Sequence, residues 1–126
     1  MKDLLALLLR PELPNVQKEL PTAEYRVKRL SEALGTDVVF KLRALPYGKV
    51  KSIRDSVAGD PGLDILLAGC VEPNLKDERL QEKFGGATPA DVVKRMLLAG
   101  EIADLSQAIE KLSGYWRLTI TEVKNG

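Results

Sequence analysis

Apolar residues recur at helical spacing through much of the second half of the chain. The stretch Leu63–Val71 is apolar almost throughout, which predicts a helix buried on most sides. Further on, five apolar residues are spaced four, three, four and three positions apart: Leu98, Ile102, Leu105, Ile109 and Leu112. This narrow seam predicts an amphipathic helix that packs on a core through one face.

Turn-forming and capping residues divide this region into short helices. Three breaks separate them: Gly59-Asp60-Pro61-Gly62, Glu72-Pro73-Asn74 and Gly85-Gly86. Asp77 is the predicted N-cap of a short helix over Lys76–Phe84. Thr88 followed by Pro89 predicts the start of the next helix, and Gly100 is predicted to end it.

Alternation of apolar and polar residues in the first half predicts two antiparallel strands, at about residues 24–30 and 37–44. One face of the pair carries the apolar residues: Tyr25, Val27, Val38, Phe40, Leu42 and Ala44. A lone hairpin is barely stable, so helices are expected to cover that face. Residues 116–123 also alternate and form either a third strand or a frayed tail. The predicted fold is therefore α+β and mainly α, with about five short helices covering a small antiparallel hairpin.

The first residues predict a short leucine-rich helix over residues 3–10, followed by a Pro-containing arm over residues 11–22. The apolar run Leu4–Leu9 is far too short to span a bilayer. Its leucines point to nearly every side of the helix, and so short a helix is marginal alone in water. The helix is expected either to pack on its own core or to be an exposed docking element. The same leucines would equally suit a swapped dimer or a filament.

Composition places the chain among globular proteins and removes several kinds of chemistry. At 126 residues, with 44% hydrophobic and 29% charged residues, a single domain over residues 1–126 is expected. A net charge of +1 gives no overall field that attracts nucleic acid or an anionic membrane. The chain has no histidine, which excludes imidazole metal ligands and Ser–His or Cys–His catalysis.

The remaining candidates for chemistry are weak. Cys70 lies in an apolar run and is predicted to be a buried, inert thiol, and a single cysteine fits a cytoplasmic protein. Glu78 and Glu82 share a short helix with two basic residues, which favours a solvated face over an acid–base pair. Phosphate-binding glycine motifs are missing. We therefore predict no catalytic, cofactor or metal-binding residue, and no enzyme.

Charge is distributed unevenly along the chain. Residues 1–58 carry eleven basic and seven acidic side chains, whereas residues 59–126 carry eight and eleven. Four basic side chains are predicted to share the outward face of the hairpin: Arg26, Lys28, Lys41 and Arg43. They form either an ordinary solvated face or a contact surface for an acidic protein. Nucleic acid is disfavoured because no aromatic side chain on that face is available to stack on bases.

The order of several short motifs resembles that of a known family. The motifs are FKLRAL at 40–45, LAGCVEPNLKD at 67–77, FG at 84–85, TP at 88–89, LLAGEI at 97–102 and IEKLSGY at 109–115. Together with the leucine helix and its arm, they resemble the XkdN-like tail assembly chaperones of long-tailed phages and defective prophages. Each motif is a packing or capping pattern, and their order and spacing carry the resemblance.

The resemblance implies a non-enzymatic protein of the host bacterial cytoplasm that is absent from the mature virion. It implies binding to the tape measure protein, with the tail-tube subunit as a second partner, and no cofactor. From the surface pattern, we predict these partner-binding residues: Leu4, Leu5, Leu8, Leu9, Arg26, Lys28, Lys41 and Arg43. The alternative is a small nucleic-acid-binding or regulatory protein that uses the basic strand face.

Overall fold

Three strands from distant parts of the chain form one antiparallel sheet. The computed structural model describes residues 3–124. Its strands are β1 (Thr22–Arg26), β2 (Val39–Arg43) and β3 (Cys70–Glu72), and β2 lies between the other two. Residue pairs in β1 and β2 run from Thr22 opposite Arg43 to Arg26 opposite Val39.

Seven helices lie within residues 3–124. They are α1 (Leu4–Leu8), α2 (Lys28–Leu34), α3 (Tyr47–Asp55), α4 (Pro61–Gly69), α5 (Glu78–Phe84), α6 (Pro89–Met96) and α7 (Ala99–Leu112). Helices α4 and α7 pack closely on each other, and α7 also packs on β2. The fold is α+β and mainly α, as the sequence predicts.

The core lies between the inner face of the sheet and helices α4, α6 and α7. Phe40 and Leu42 of β2 are buried in it, together with Leu66, Val93 and Ile109 from the helices. The predicted caps Asp77 and Thr88 both accept backbone N–H groups, from Arg79 and Asp91 respectively. The helical half of the chain therefore folds largely as its capping and turn-forming residues predict.

Two serine hydroxyls fix junctions between helices and strands. Ser31 is buried; its Oγ donates to the carbonyl of Val27 at 2.7 Å and accepts the N–H of Val38 at 2.8 Å. Ser113 does the same at the end of α7, where its Oγ accepts the N–H of Leu45 at 2.9 Å. Each hydroxyl thus satisfies a backbone donor outside the regular hydrogen-bonding pattern.

The first strand is shorter than the alternation predicts. β1 ends at Arg26, and the residues predicted to continue it to position 30 begin α2 instead. Val27 is the N-cap of α2, and Leu30 and Ser31 turn inward one helical turn later. So few alternating residues do not distinguish a strand from a helix start. Lys28 consequently lies on a helix and not on a strand.

The third strand is Cys70–Glu72, and residues 116–123 form no strand. The predicted buried helix Leu63–Val71 ends at Gly69, and Cys70 turns into an extended conformation opposite Leu42. A continuous apolar run is compatible with both helix and strand, so periodicity alone does not locate this change. In the tail, Leu118 and Ile120 are exposed.

The break between α6 and α7 falls at Leu97 and Leu98, before Gly100. Gly100 lies in the first turn of α7 and does not end α6. The carboxylate of Glu101, the third residue of α7, accepts the N–H of Leu98 at 2.7 Å. This hydrogen bond fixes the helix start ahead of the glycine.

Candidate functional site

Helix α1 presents its leucines to solvent. Asp3 caps the helix by accepting the N–H of Leu5 at 3.1 Å, and no residue of α1 is buried. The exposed fractions of its leucines, and of the one that follows, lie between 38% and 73%: Leu4, Leu5, Leu7, Leu8 and Leu9. Of the two expectations for this helix, packing on its own core is therefore wrong.

The arm after α1 holds this helix away from the core. Residues 10–19 are exposed throughout, with local turns such as the Asn15 side chain accepting the N–H of Gln17. The chain rejoins the sheet at Pro21, whose carbonyl accepts the N–H of Ala44 at 2.9 Å. An apolar helix on a tether of this length is well placed to meet another protein.

The outer face of the sheet carries mixed charge. Arg26, Lys41 and Arg43 share this face, because they alternate with the inward-facing residues of their strands. Lys41 lies opposite Glu24 on β1 and Glu72 on β3, and Arg26 donates to Asp37 at 2.9 Å. Three of the four predicted basic residues are therefore together, interleaved with carboxylates, and Lys28 lies off this face.

An ion pair that the sequence does not predict ties α2 to the start of α7. Arg29 donates to both carboxylate oxygens of Glu101, at 2.8 and 3.0 Å, and to the carbonyl of Met96 at 3.0 Å. The hydrogen bond from Arg29 lowers the pKa of Glu101 below its usual value. The two residues are 72 positions apart, so no local pattern links them.

Cys70 is the only thiol, and its environment makes it unreactive. It is half-buried, and burial raises the pKa of the Cys70 thiol to about 11. At neutral pH the thiol is protonated, and the protonated form is a poor nucleophile. This supports the prediction of an inert cysteine.

Neither a metal-binding cluster nor a membrane-spanning helix occurs in the part of the chain that the structure describes. Residues 3–124 contain no group of three or more His, Cys, Asp or Glu side chains that could hold a metal ion. No helix among the described residues is long and apolar enough to cross a membrane. The exposed features of this region are the leucines of α1 and the mixed-charge outer face of the sheet.

Comparison with known proteins gives the class of this protein. The family model described as phage XkdN-like tail assembly chaperone protein, TAC, matches residues 62–124. The chain therefore belongs to the XkdN-like phage tail assembly chaperone family, which confirms the family predicted from its motifs, and its role lies in phage tail assembly. The matched region runs from α4 to the tail, so it does not include α1, β1 or β2.

The fold is shared with a solved protein. The crystal structure of the protein yqbn, a structural genomics target, is similar with a TM-score of 0.62. The two chains are 22% identical, and the likeness covers 91% of this chain and 98% of yqbn. At that identity the likeness shows the fold alone. No curated protein matches the chain.

Proposed function

We propose that the protein is a non-enzymatic tail assembly chaperone that binds the tape measure protein in the host bacterial cytoplasm. It keeps this long protein soluble, helps tail-tube subunits gather along it, and is absent from the finished virion. Membership of the chaperone family supports a tail assembly role. The observation that carries the proposed binding is the exposed leucine helix α1 on its tether.

The energetics of α1 favour weak, repeated binding. Burying one leucine is worth roughly 1.5–3 kcal/mol, so four of them contribute about 6–12 kcal/mol before any cost. Association itself costs about 4–15 kcal/mol. A single α1 would therefore bind weakly and reversibly, and several copies on one long target would supply the strength. The proposed contacts from α1 are Leu4, Leu5, Leu8 and Leu9.

The basic residues are proposed to add a second, polar contact. Lys41 and Arg43 lie on the outer sheet face, while Arg26 and Lys28 lie near the end of β1. Because carboxylates from Glu24 and Glu72 are interleaved on that face, a protein with its own mixed charges fits it better than a polyphosphate chain does. No observation favours the nucleic-acid alternative.

Co-expression tests this proposal. The tape measure protein, expected as a very long helical protein encoded just downstream, is produced with and without the chaperone, and its soluble fraction is measured. We expect the wild-type chain to raise the soluble fraction several-fold. The double variant Leu5→Asp/Leu8→Asp should lose most of that effect without changing its own melting temperature, because neither side chain packs on the core.

A matched control distinguishes the loss of the α1 leucines from the general effect of placing a carboxylate on the surface. Leu34 on α2 is 69% exposed, close to the 62% of Leu5, and lies in the folded part of the chain. Leu34→Asp should keep the chaperone effect. If the wild-type chain leaves the solubility of the tape measure protein unchanged, the proposed function is wrong. If the wild-type chain raises the solubility and the α1 variant raises it equally, the proposed contact through α1 is wrong.

A further inference from the structure

A groove of about 500 Å³ lies between β1 and one face of α7. Its apolar lining comes from Tyr25 and Val27 on one side and from Leu105 and Ala108 on the other. Lys28 and Lys111 also line it. Neither the leucine helix nor the outer sheet face contributes to this groove, apart from Arg26 at its edge.

The helices that cover the inner face of the sheet leave β1 partly open. Tyr25 and Phe40 are direct partners across the β1–β2 pair and point to the same face. Phe40 is 2% exposed, whereas Tyr25 is 38% exposed. The inner layer is therefore complete over β2 and incomplete over β1, where the groove lies.

The backbone of β1 is open on the same side. β1 is an edge strand and pairs with β2. The carbonyl of Pro21 accepts the N–H of Ala44, and the N–H of Val27 donates to the carbonyl of Val38. The backbone N–H and C=O groups of the odd-numbered residues between them therefore point towards β2. The N–H and C=O groups of Thr22, Glu24 and Arg26 therefore point away from β2, towards the free edge. Such an edge can pair with an added extended segment.

The charges around the groove indicate the chemistry of that segment. Four basic and two acidic residues line it: Arg26, Lys28, Arg29, Lys111, Glu101 and Asp104. Arg29 is paired with Glu101, and Arg26 with Asp37. In the described part of the chain, Lys28 and Lys111 form no ion pair, which leaves two free ammonium groups against the single carboxylate of Asp104.

The two lysines lie towards opposite ends of the groove. Lys28 adjoins Arg29, which binds Glu101 in the first turn of α7. Lys111 is ten residues further along that helix, which is about 15 Å at 1.5 Å per residue. An extended chain covers this length in roughly five residues.

We propose that the groove binds an extended segment of a partner protein, added as a fourth strand beside β1. The segment presents alternate apolar side chains to Leu105 and Ala108 and a carboxylate near each lysine. That the partner is a tail protein rests on the proposed function; the chemistry of the segment rests on the groove.

A peptide titration tests the groove without the tape measure protein. The probe is a capped seven-residue peptide, Asp-Thr-Val-Thr-Val-Thr-Asp, in which both Val and both Asp side chains lie on one face of the extended chain. We expect saturable shifts of the backbone amide NMR signals of Thr22, Glu24 and Arg26 and of residues 104–111. A peptide with Lys at both ends should bind at least tenfold more weakly, as should one N-methylated at the amides that face β1.

Matched variants locate the binding surface in the intact chain. Tyr25→Ala and Lys111→Glu should each weaken peptide binding at least fivefold. Tyr47→Ala changes another exposed tyrosine, and Lys83→Glu changes another lysine in the last turn of a helix; neither residue lines the groove, so both should bind as wild type does. Amide spectra show that each variant remains folded.

Several outcomes would overturn the inference. The Asp-ended and Lys-ended peptides could bind equally well, or the amide shifts could be confined to α1 or to residues 116–123. A folded Lys111→Glu variant that binds the peptide with wild-type affinity would also contradict it. Concentration-dependent shifts of the same amides without peptide would show that a second copy fills the groove, which also overturns it. Failure of the co-expression test with a normal peptide titration would overturn the proposed function and leave the groove inference standing.

Discussion

Gly69 at the end of α4 lies directly against Ile109 of α7. A Cβ at position 69 would be 2.7 Å from both Cδ1 and Cγ2 of Ile109 and 3.0 Å from the carbonyl oxygen of Arg43. The absence of a side chain therefore allows α4, α7 and β2 to meet at one point. The same point is where the helix ends and β3 begins.

Gly69→Ala should destabilise the protein by about 1–3 kcal/mol, because the added methyl group overpacks a contact that includes backbone. The measurement is the free energy of unfolding in urea. Gly100→Ala is the control: it also replaces a helical glycine, but nothing lies within 4 Å of its Cβ position. That variant should be neutral or stabilising by up to about 1 kcal/mol. Equal effects of the two substitutions would contradict the close packing at Gly69.

Ser31→Ala should cost about 1–3 kcal/mol, because it leaves the N–H of Val38 without its acceptor at a part-buried site. Ser52 is an exposed serine on α3, and Ser52→Ala should change stability by less than about 0.5 kcal/mol. Thermal unfolding of both variants checks this. A small effect at Ser31 would mean that water replaces the hydroxyl at the junction of α2 and β2.

Glu101 should make stability depend on pH below neutrality. Its pKa is lowered in the folded state, so the stabilisation is fully present above the ordinary glutamate value of about 4.3 and is lost as pH falls through the lowered value. Glu101→Gln should therefore be less stable than wild type at pH 6–7, and the difference should shrink on acidification. Urea midpoints across pH 2–7 measure it.

Glu82→Gln provides the matched control for that series. It removes the same charge from an exposed position on α5 that forms no ion pair within residues 3–124. Because no ion pair is lost, its difference from wild type should stay small across the series. If Glu101→Gln shows the same flat profile, the contact with Arg29 does not stabilise the fold.

Cys70 should react slowly with thiol reagents while the protein is folded. With a pKa of about 11, its thiolate fraction at pH 8 is roughly a hundredfold below that of an ordinary cysteine. Reaction with a disulfide reagent, followed by absorbance, should accelerate by about that factor when urea unfolds the chain. Equal rates in the folded and unfolded protein would contradict the burial of the thiol.

Local patterns predicted the helical half of the chain well. The caps at Asp77 and Thr88 act over a few residues, so capping chemistry was sufficient to place the starts of α5 and α6. The sequence does not predict β3, because the apolar character of this segment suits a helix and a strand alike and only pairing with β2 decides between them. Gly100 by itself predicts a helix end, but the hydrogen bond from the N–H of Leu98 to Glu101 starts α7 before it.

The candidate surfaces were predictable only in part. The sequence identifies the leucines of α1 as a docking candidate, but only the tertiary structure shows that they do not pack into the core. The sequence predicts a basic outer face, whereas the structure shows mixed charge. Glu24 and Glu72 lie beside Lys41 only because of strand pairing, which the alternation within one strand does not reveal. The groove beside β1 is lined by residues that are far apart in the sequence, such as Arg29 and Glu101, and no local pattern links residues 72 positions apart.

The separation of α1 from the core has a consequence for how such a protein can evolve. No residue of α1 is buried, so if this helix makes the contact that we propose, substitutions there alter what the protein recognises without altering whether it folds. Selection on recognition and selection on folding therefore act on different parts of the chain. A phage could change its target by altering a few N-terminal codons and keep the rest of the protein unchanged.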